Sequence, residues 1–260
     1  MELTGRSAIV AGGAGGLGSA TVRRLADLGV GVVILDPAEE PGAALAAELG
    51  DRAVAVVGDS NDDGAVAAAI TAARDLGVLS IAVSATGVVI RSPRLVDDAG
   101  EPMPKAVLQA NLDLHVMGPF NLARLCAAAF ADNEPDADGQ RGVIVQTASI
   151  SAFDGQVTMV PYAAAKGAIV SMVLPMARDL APLGIRVCAI APGGILTPRV
   201  ASPQVQALLT EDTLFPKRLG RPEEYARLVE AIVTNPYLNG EVIRLDAGTR
   251  LGPEMGGRRR

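Results

Sequence analysis

The sequence predicts an α/β fold, a doubly wound parallel sheet of about seven strands with helices on both faces, in one domain. Three observations carry that expectation. Short apolar runs alternate with alanine-rich stretches of helical length along most of the 260 residues. The runs are apolar at consecutive positions, as strands covered on both faces require. A glycine-rich turn follows the first run, where a strand would hand over to a helix.

In chain order, Ser7–Ala11 reads as the first strand, and Gly16–Leu28 as the helix that the glycine turn opens. Gly31–Leu35, Ala53–Val57 and Ile81–Ser84 follow as strands, with helices at Pro41–Leu49 and Asp63–Leu76 between them. Arg91–Pro104 holds three prolines and three acids and reads as a surface loop. A long helix over Lys105–Asp132 leads to a fifth strand, Gly142–Thr147. Tyr162–Ala181 reads as a helix in which Pro175 predicts a kink or local break. Arg186–Ala191 and Val242–Asp246 supply the last two strands. Thr197–Pro216, between them, is irregular except for a short helix near Val205–Leu209. The alternation implies right-handed crossovers. The length allows one large domain or two small ones. No repeat and no linker divides the chain, so residues 1–260 read as a single domain.

The net charge of −6 argues against general nucleic-acid binding, with Arg258-Arg259-Arg260 as a local exception that reads as a solvated tail. Cys126 and Cys188 are too few for a disulfide framework and lie in apolar contexts, as buried thiols of a cytoplasmic protein would. No Cys/His cluster suggests a metal site. The start of the chain lacks a signal-peptide pattern, and no apolar run reaches the roughly 18 residues of a membrane span.

The chemistry is most legible at Tyr162 and Lys166, one helical turn apart, with Ser149 thirteen residues upstream. Residues i and i+4 share a helix face, so the ammonium of Lys166 comes near the phenol of Tyr162. A free tyrosine, with a pKa of about 10, is a poor base at neutral pH. Bringing it to about 7–8 takes roughly 3–4 kcal/mol of differential stabilisation, which Lys166 and the positive ring of an oxidised nicotinamide cofactor would supply together. Tyr162 would then take the proton of an alcohol as hydride leaves, or return it to a carbonyl in reverse. Ser149 would hold the same oxygen by a hydrogen bond. A lone Tyr-x-x-x-Lys pair also occurs on ordinary surface helices. The glycine turn makes the difference.

That turn, Gly12-Gly13-Ala14-Gly15-Gly16-Leu17-Gly18, fits two frames. Gly13, Gly15 and Gly18 satisfy G-x-G-x-x-G, and Gly12, Gly16 and Gly18 satisfy G-x-x-x-G-x-G. The Tyr–Lys pair favours the second. Either frame lets backbone amides approach a pyrophosphate at a helix N-terminus, the Rossmann-type arrangement for a dinucleotide. Gly12, Gly15, Gly16, Leu17 and Gly18 are the candidates there. Asp36 ends the second strand eighteen residues after Gly18, and no Lys or Arg follows in Pro37-Ala38-Glu39-Glu40. A carboxylate so placed accepts the ribose hydroxyls and repels a 2′-phosphate, which favours NAD over NADP. Asp59, after the third strand, is a candidate for the adenine edge, with a turn or capping role as the alternative.

These residues resemble the short-chain dehydrogenase/reductases along nearly the whole chain. Within that family the sequence is most similar to the type II 3-hydroxyacyl-CoA dehydrogenase branch, also described as 17β-hydroxysteroid dehydrogenase type 10. The specific stretches include Asn133-Glu134-Pro135-Asp136, Thr147-Ala148-Ser149, Ala177-Arg178-Asp179-Leu180-Ala181-Pro182 and Leu238-Asn239-Gly240-Glu241-Val242-Ile243-Arg244-Leu245-Asp246. Arg218-Leu219-Gly220, Pro222 and Glu224-Tyr225-Ala226 belong with them. The resemblance implies NAD(H), a homotetramer, and oxidation of a 3-hydroxyacyl-CoA or related secondary alcohol. It places Ser149, Tyr162 and Lys166 as the catalytic serine, tyrosine and lysine, with Lys166 also holding ribose. Pro192, Gly193, Ile195 and Thr197 fall at the nicotinamide end, Asp59-Ser60 at adenine, and Ser84, Thr86 and Gly87 beside the cofactor.

Three positions depart from the family pattern. His115 stands where the family has a catalytic asparagine, with Asn111 one turn earlier as an alternative register. Ser84-Ala85-Thr86-Gly87 replaces Asn-x-Ala-Gly, and Ala11 replaces the usual threonine before the glycine turn. His115 has two readings, a proton relay or a packed helix residue without a catalytic role.

The leading expectation is therefore an NAD-dependent secondary-alcohol dehydrogenase acting on an acyl-CoA, with 197–216 as a substrate lid. A hydroxysteroid or other lipophilic alcohol keeps the mechanism and changes the substrate. An NAD-binding scaffold with little turnover is the alternative from another class, motivated by Ala11, Ser84 and His115. Arg199 and Lys217 beside the lid are candidates for CoA phosphates or plain solvated charges.

Overall fold

A computed structural model describes residues 1–200 and 202–254. The Arg258–Arg260 tail and the side chain of Arg199 lie outside that description. Seven parallel strands stand in the order β3-β2-β1-β4-β5-β6-β7. They are β1 (Arg6–Ala11), β2 (Gly31–Asp36), β3 (Ala53–Val57), β4 (Val78–Ser84), β5 (Gly142–Thr147), β6 (Ile185–Pro192) and β7 (Val242–Leu245). The helices are α1 (Gly16–Asp27), α2 (Glu39–Leu49), α3 (Asp63–Leu76), α4 (Lys105–Leu112), α5 (Gly118–Ala131), α6 (Val160–Leu180), α7 (Pro203–Thr210) and α8 (Pro222–Thr234).

Alternation along each strand divides the core into two layers. Ile9 and Ala11 of β1 pack with Val66 of α3, Leu122 of α5 and Ile169 of α6. Ala8 and Val10 face the other way, against Val22 and Leu25 of α1, Leu45 of α2 and Val229 of α8. Both faces are thus covered, which is why the strands read as unbroken apolar runs. The order of strands reverses between β1 and β4, so their carboxyl ends open a crevice at Ala11 and Ser84.

Three elements differ from the sequence reading. α8 was absent from it. Tyr225, Val229, Ile232 and Val233 are buried on one side, a helical spacing, and each such side chain contributes about 1.5–3 kcal/mol on burial. Pro222 starts the helix, and the Glu224 carboxylate accepts the Arg221 N–H at 2.7 Å. Of the kink or local break expected at Pro175, no break occurs: α6 continues to Leu180 with Ile169, Val173 and Ala177 buried on either side of the proline. The single helix expected over Lys105–Asp132 is divided by a π-helical turn, Asp113–Met117.

The segment Val160–Leu183, 24 residues with an 18-residue stretch of mean hydropathy 1.3, is long and apolar enough to cross a membrane, contrary to the expectation that no run reaches that length. Its Tyr162, Lys166, Ile169 and Val173 are buried in the fold. Cys126 and Cys188 are buried free thiols. Among the described residues, no His, Cys, Asp and Glu side chains group closely enough to hold a metal ion.

Candidate active site

The glycine turn lies in the crevice. Gly12 has φ +70°, and a Cβ there would lie 3.0 Å from the Ala85 carbonyl carbon, just past β4. A Cβ at Gly18 would run into the Gly12 carbonyl, and one at Gly16 would lie 2.8 Å from Thr197 Cγ2. Gly15 has an ordinary φ of −75° and meets only the Gly12 oxygen, at 3.3 Å. Space is therefore tightest in the frame of Gly12, Gly16 and Gly18, although Gly13 is also closed in by the Val10 carbonyl oxygen at 2.7 Å. Leu17 packs partly buried under the turn. This is a cradle that side chains would fill, open at the N-terminus of α1, and it fits a pyrophosphate.

Asp36 closes one end of the cradle. Its two oxygens accept the Ala14 N–H at 3.1 Å and the Ala38 N–H at 2.9 Å. Each keeps a second lone pair for a hydroxyl donor. Asp59 accepts the Asn61 N–H at 2.9 Å in a tight turn. Ser60 is buried where α5 begins, and a Cβ at Gly118 would lie 2.6 Å from its hydroxyl. Pro192 ends β6, and the next N–H, of Gly193, bonds the Leu245 carbonyl at 2.9 Å. Ile195 bridges to Gly220, which turns the chain so that Thr197 covers Gly16. Two segments far apart in sequence thus meet at one place.

Lys166, 2% exposed, donates to the Thr147 carbonyl at 2.8 Å. Its Nζ stands 6.0 Å from the centre of the Tyr162 ring. Burial brings the Lys166 ammonium down to about 8. Burial raises the Tyr162 phenol, and a hydrogen bond with Ser149 opposes the rise. The folded chain alone therefore does not lower the tyrosine as the helix spacing suggested, because desolvation of the phenolate outweighs what its neighbours offer. Ser149 Oγ also accepts the Ser151 N–H at 3.1 Å.

His115 lies in the π-helical turn, fully buried, with its ring edge-on to Tyr162 at 5.2 Å and 86°. Neither ring nitrogen has a hydrogen-bond partner. Burial first, and then the Lys166 charge, push its pKa down to about 4, against a smaller opposing effect of the Val88 backbone. The ring is thus neutral at physiological pH. Gly87 fits against it only because a Cβ there would lie 3.0 Å from His115 Nδ1 and 3.2 Å from Lys166 Nζ. Asn111 does not take its place, since its amide donates back to the Val107 carbonyl at 2.9 Å. Ser84 and Thr86 pair through their hydroxyls at 3.1 Å.

Residues 6–206 match the model of the short chain dehydrogenase family. The chain belongs to that family. As an oxidoreductase it has relatives over nearly its whole length. It is 45% identical over 255 residues to human (Homo sapiens) 3-hydroxyacyl-CoA dehydrogenase type-2, covering 97% of this chain and 98% of that protein. The crystal structure of 3-hydroxyacyl-CoA dehydrogenase type-2 from Mycobacterium avium superposes with a TM-score of 0.94 at 46% identity, covering 96% of this chain and 98% of that one. A 7α-hydroxysteroid dehydrogenase complexed with NADH and 7-oxo glycochenodeoxycholic acid follows at TM-score 0.84 and 27% identity, covering 98% and 97%.

Two groups supporting this dehydrogenase's site escaped the sequence reading. Thr147 donates its hydroxyl to the Ser84 carbonyl and meets the Tyr225 hydroxyl at 2.6 Å, joining β5, β4 and α8 beneath Lys166. Arg244 of β7 donates to Asp154 and to Asp246, each at 2.7 Å, and lies over the Phe153 ring at 5.2 Å. Tyr225 and Arg244 stood within the family-like stretches, but only the fold brings them to the crevice.

Proposed function

We propose that this short-chain dehydrogenase oxidises the hydroxyl of a 3-hydroxyacyl-CoA with NAD, and runs in reverse on the ketone. The observation that carries the reading is the meeting of Ser149, Tyr162 and Lys166 beside the glycine cradle, at the carboxyl ends of β1 and β4. The substrate class rests on the relatives' names, and the nicotinamide on the cradle and on NADH in the similar steroid dehydrogenase.

A bound oxidised nicotinamide would supply the hydride acceptor and a positive ring beside Tyr162. Gly12, Gly15, Gly16, Leu17 and Gly18 would hold the pyrophosphate, and Asp36 the adenosine ribose. Asp59, Ser60, Ser84, Thr86 and Gly87 would line the adenine side and middle, with Pro192, Gly193, Ile195 and Thr197 at the nicotinamide end. Ser149 would donate to the substrate oxygen while Tyr162 takes its proton, as the carbon gives up hydride. Lys166 spends one donor on Thr147 and keeps two for ribose and for the developing phenolate. His115, neutral and without a polar partner, would serve as packing that orients Tyr162. Asp36 favours NAD over NADP, so Asp36→Ala should narrow that preference.

Residues 197–216 would form the substrate lid, with Leu214 and Phe215 presenting apolar surface at 72% and 85% exposure. A lipophilic alcohol such as a steroid is the second reading, and one observation favours it. Lys217 already donates to the Glu211 and Thr213 carbonyls at 2.7 and 2.9 Å, so it is not simply free for a CoA phosphate. The homotetramer would bury the exposed Leu108, Leu114, Met117 and Phe120 of the α4–α5 region. A cytoplasmic setting suits the two buried free thiols.

NADH formation with matched 3-hydroxyacyl-CoAs, hydroxysteroids and simple secondary alcohols tests the proposal. Tyr162→Phe should lower turnover by about 10²–10⁴-fold. Turnover on steroids alone would reject the acyl-CoA assignment and keep the mechanism. Unaltered turnover in Tyr162→Phe would reject the mechanism.

A further inference from the structure

The last described residues run back across the crevice between two segments that no strand joins. On one side is 212–216, which follows α7. On the other is 154–158, the loop that enters α6 and Tyr162. Gly252 bonds both sides with its two backbone groups. Its N–H donates to Asp212 Oδ2 at 3.0 Å, and its carbonyl accepts Gln156 Nε2 at 3.0 Å. One residue later the Pro253 carbonyl accepts the Val157 N–H at 2.9 Å. Closer to β7, the hydroxyls of Thr249 and Thr213 pair at 3.2 Å, both buried. The Ala247 carbonyl accepts the Leu214 and Phe215 N–H groups at 3.2 and 3.4 Å. Arg244 ties the root of this segment to Asp154.

Backbone conformation marks the same place. Among the described residues, Thr158 and Ala247 are the non-glycine residues with positive φ, at +68° and +52°. A β-branched residue is rare in that region. Thr158 is held there from outside, its carbonyl accepting the Ser92 N–H at 2.9 Å and its hydroxyl accepting Arg91 Nη1 at 3.1 Å. Such strain persists only where the surroundings over-determine it. Here both strained residues sit where the crossing segment is anchored.

We propose that residues 246–254 form a strap that fixes the substrate-side segment against the loop entering the Tyr162 helix, and that Asp212 and Gln156 are positioning residues that set KM rather than kcat. The proposal rests on the reading of 197–216 as the substrate lid. Asp212 lies in that connection yet bonds backwards to the strap, and Gln156, 7% exposed, lies six residues before Tyr162. Neither touches the reacting groups.

The test uses the full chain with Asp212→Ala, Gln156→Leu and the pair combined, and Asp212→Asn as the conservative variant that keeps an acceptor for Gly252. Amide hydrogen exchange is followed in 203–216, with steady-state kinetics on a 3-hydroxyacyl-CoA and on a small secondary alcohol, and NADH binding. Exchange in 203–216 should quicken about tenfold in the combined variant. KM for the acyl-CoA should rise about tenfold with kcat within about twofold, and Asp212→Asn should stay near wild type. NADH affinity and the small alcohol's kcat/KM should not change. Unchanged exchange would overturn the strap, even if KM rose and the lid reading stood. Faster exchange with an unchanged acyl-CoA KM would overturn the positioning role by removing the lid reading beneath it. A fall in kcat accompanied by lost NADH affinity would show general loosening and overturn the proposal.

Discussion

The hydroxyl pair Thr147–Tyr225 offers a quantitative test of how the site is supported. Thr147 has one hydroxyl proton, and it goes to the Ser84 carbonyl. The Tyr225 phenol must then be the donor in their 2.6 Å contact. Its pKa, pushed up to about 12 by burial, keeps that proton in place. Tyr225→Phe removes one donor and leaves Thr147 bonded to Ser84, so it should cost about 1 kcal/mol. Thr147→Val is isosteric but leaves both the fully buried Tyr225 hydroxyl and the Ser84 carbonyl without this partner. At about 1–3 kcal/mol for each abandoned group, it should cost roughly 2–6 kcal/mol. The double variant removes the phenol that Thr147→Val abandons, so it should cost less than the sum of the singles, by a coupling of about 1–2 kcal/mol. Urea unfolding at one fixed protein concentration measures all four corners. In a chain of this size each kcal/mol corresponds to about 2–4 °C in Tm, a second readout. Additive costs, or Tyr225→Phe costing as much as Thr147→Val, would refute the assignment of donor and acceptor.

Gly18→Ala should abolish NADH binding with the secondary structure intact, because the added methyl enters the Gly12 carbonyl; dye-free calorimetric titration with NADH and far-ultraviolet circular dichroism check the two halves. His115 binds its proton at about 4 in the folded chain, below its ordinary 6.5. The unfolded chain therefore takes up the proton first, and stability falls as pH drops from 6.5 through 4 by on the order of 3 kcal/mol. His115→Asn should lose that part of the pH dependence and keep kcat within about tenfold, or 1.4 kcal/mol in barrier; abolished turnover with NADH still bound would make the imidazole essential. Lys166 at about 8, below its ordinary 10.5, has the same sign at higher pH. The wild type should gain stability relative to Lys166→Met as pH rises from 8 to 10.5, by on the order of 3 kcal/mol, read from unfolding at several pH values.

The sheet was legible because its inner strands are buried on both faces, and the side chains of β1, β2 and β6 are apolar except at Arg6, Ser7, Asp36 and Arg186. The cradle was legible for a different reason, since Gly12 and Gly18 are required by close backbone approaches and Gly16 by the Thr197 side chain. α8 was not, although Tyr225, Val229, Ile232 and Val233 have helical spacing, because charged residues interleave them and no long apolar run draws notice. The π-helical turn at Asp113–Met117 leaves no mark in a sequence of ordinary helix formers. The tyrosine's environment was half legible, because helix spacing shows the nearby cation and hides the burial that opposes it in the chain alone. The strap was out of reach, since its partners at Asp212, Gln156 and Gly252 meet only after the sheet has brought three loops to one end.

The three departures from the family pattern are not equal once their surroundings are known. At Ala11 the backbone alone completes the strand end, its carbonyl accepting the Ala85 N–H at 2.9 Å while the Gly12 N–H goes to Leu35 at 2.9 Å. At Ser84 a chain of hydroxyls compensates, with Thr86 on its side chain and Thr147 and then Tyr225 on its carbonyl. At His115 neither nitrogen has a partner within hydrogen-bonding geometry, and the Val88 backbone offers only a small opposing effect. A buried group without a partner costs about 1–3 kcal/mol, so the cost is concentrated at one residue. Its neutral ring also stands edge-on to Tyr162 at 5.2 Å. Ala11 and Ser84 therefore keep hydrogen-bond partners, and His115 is the departure whose ring nitrogens are left without one.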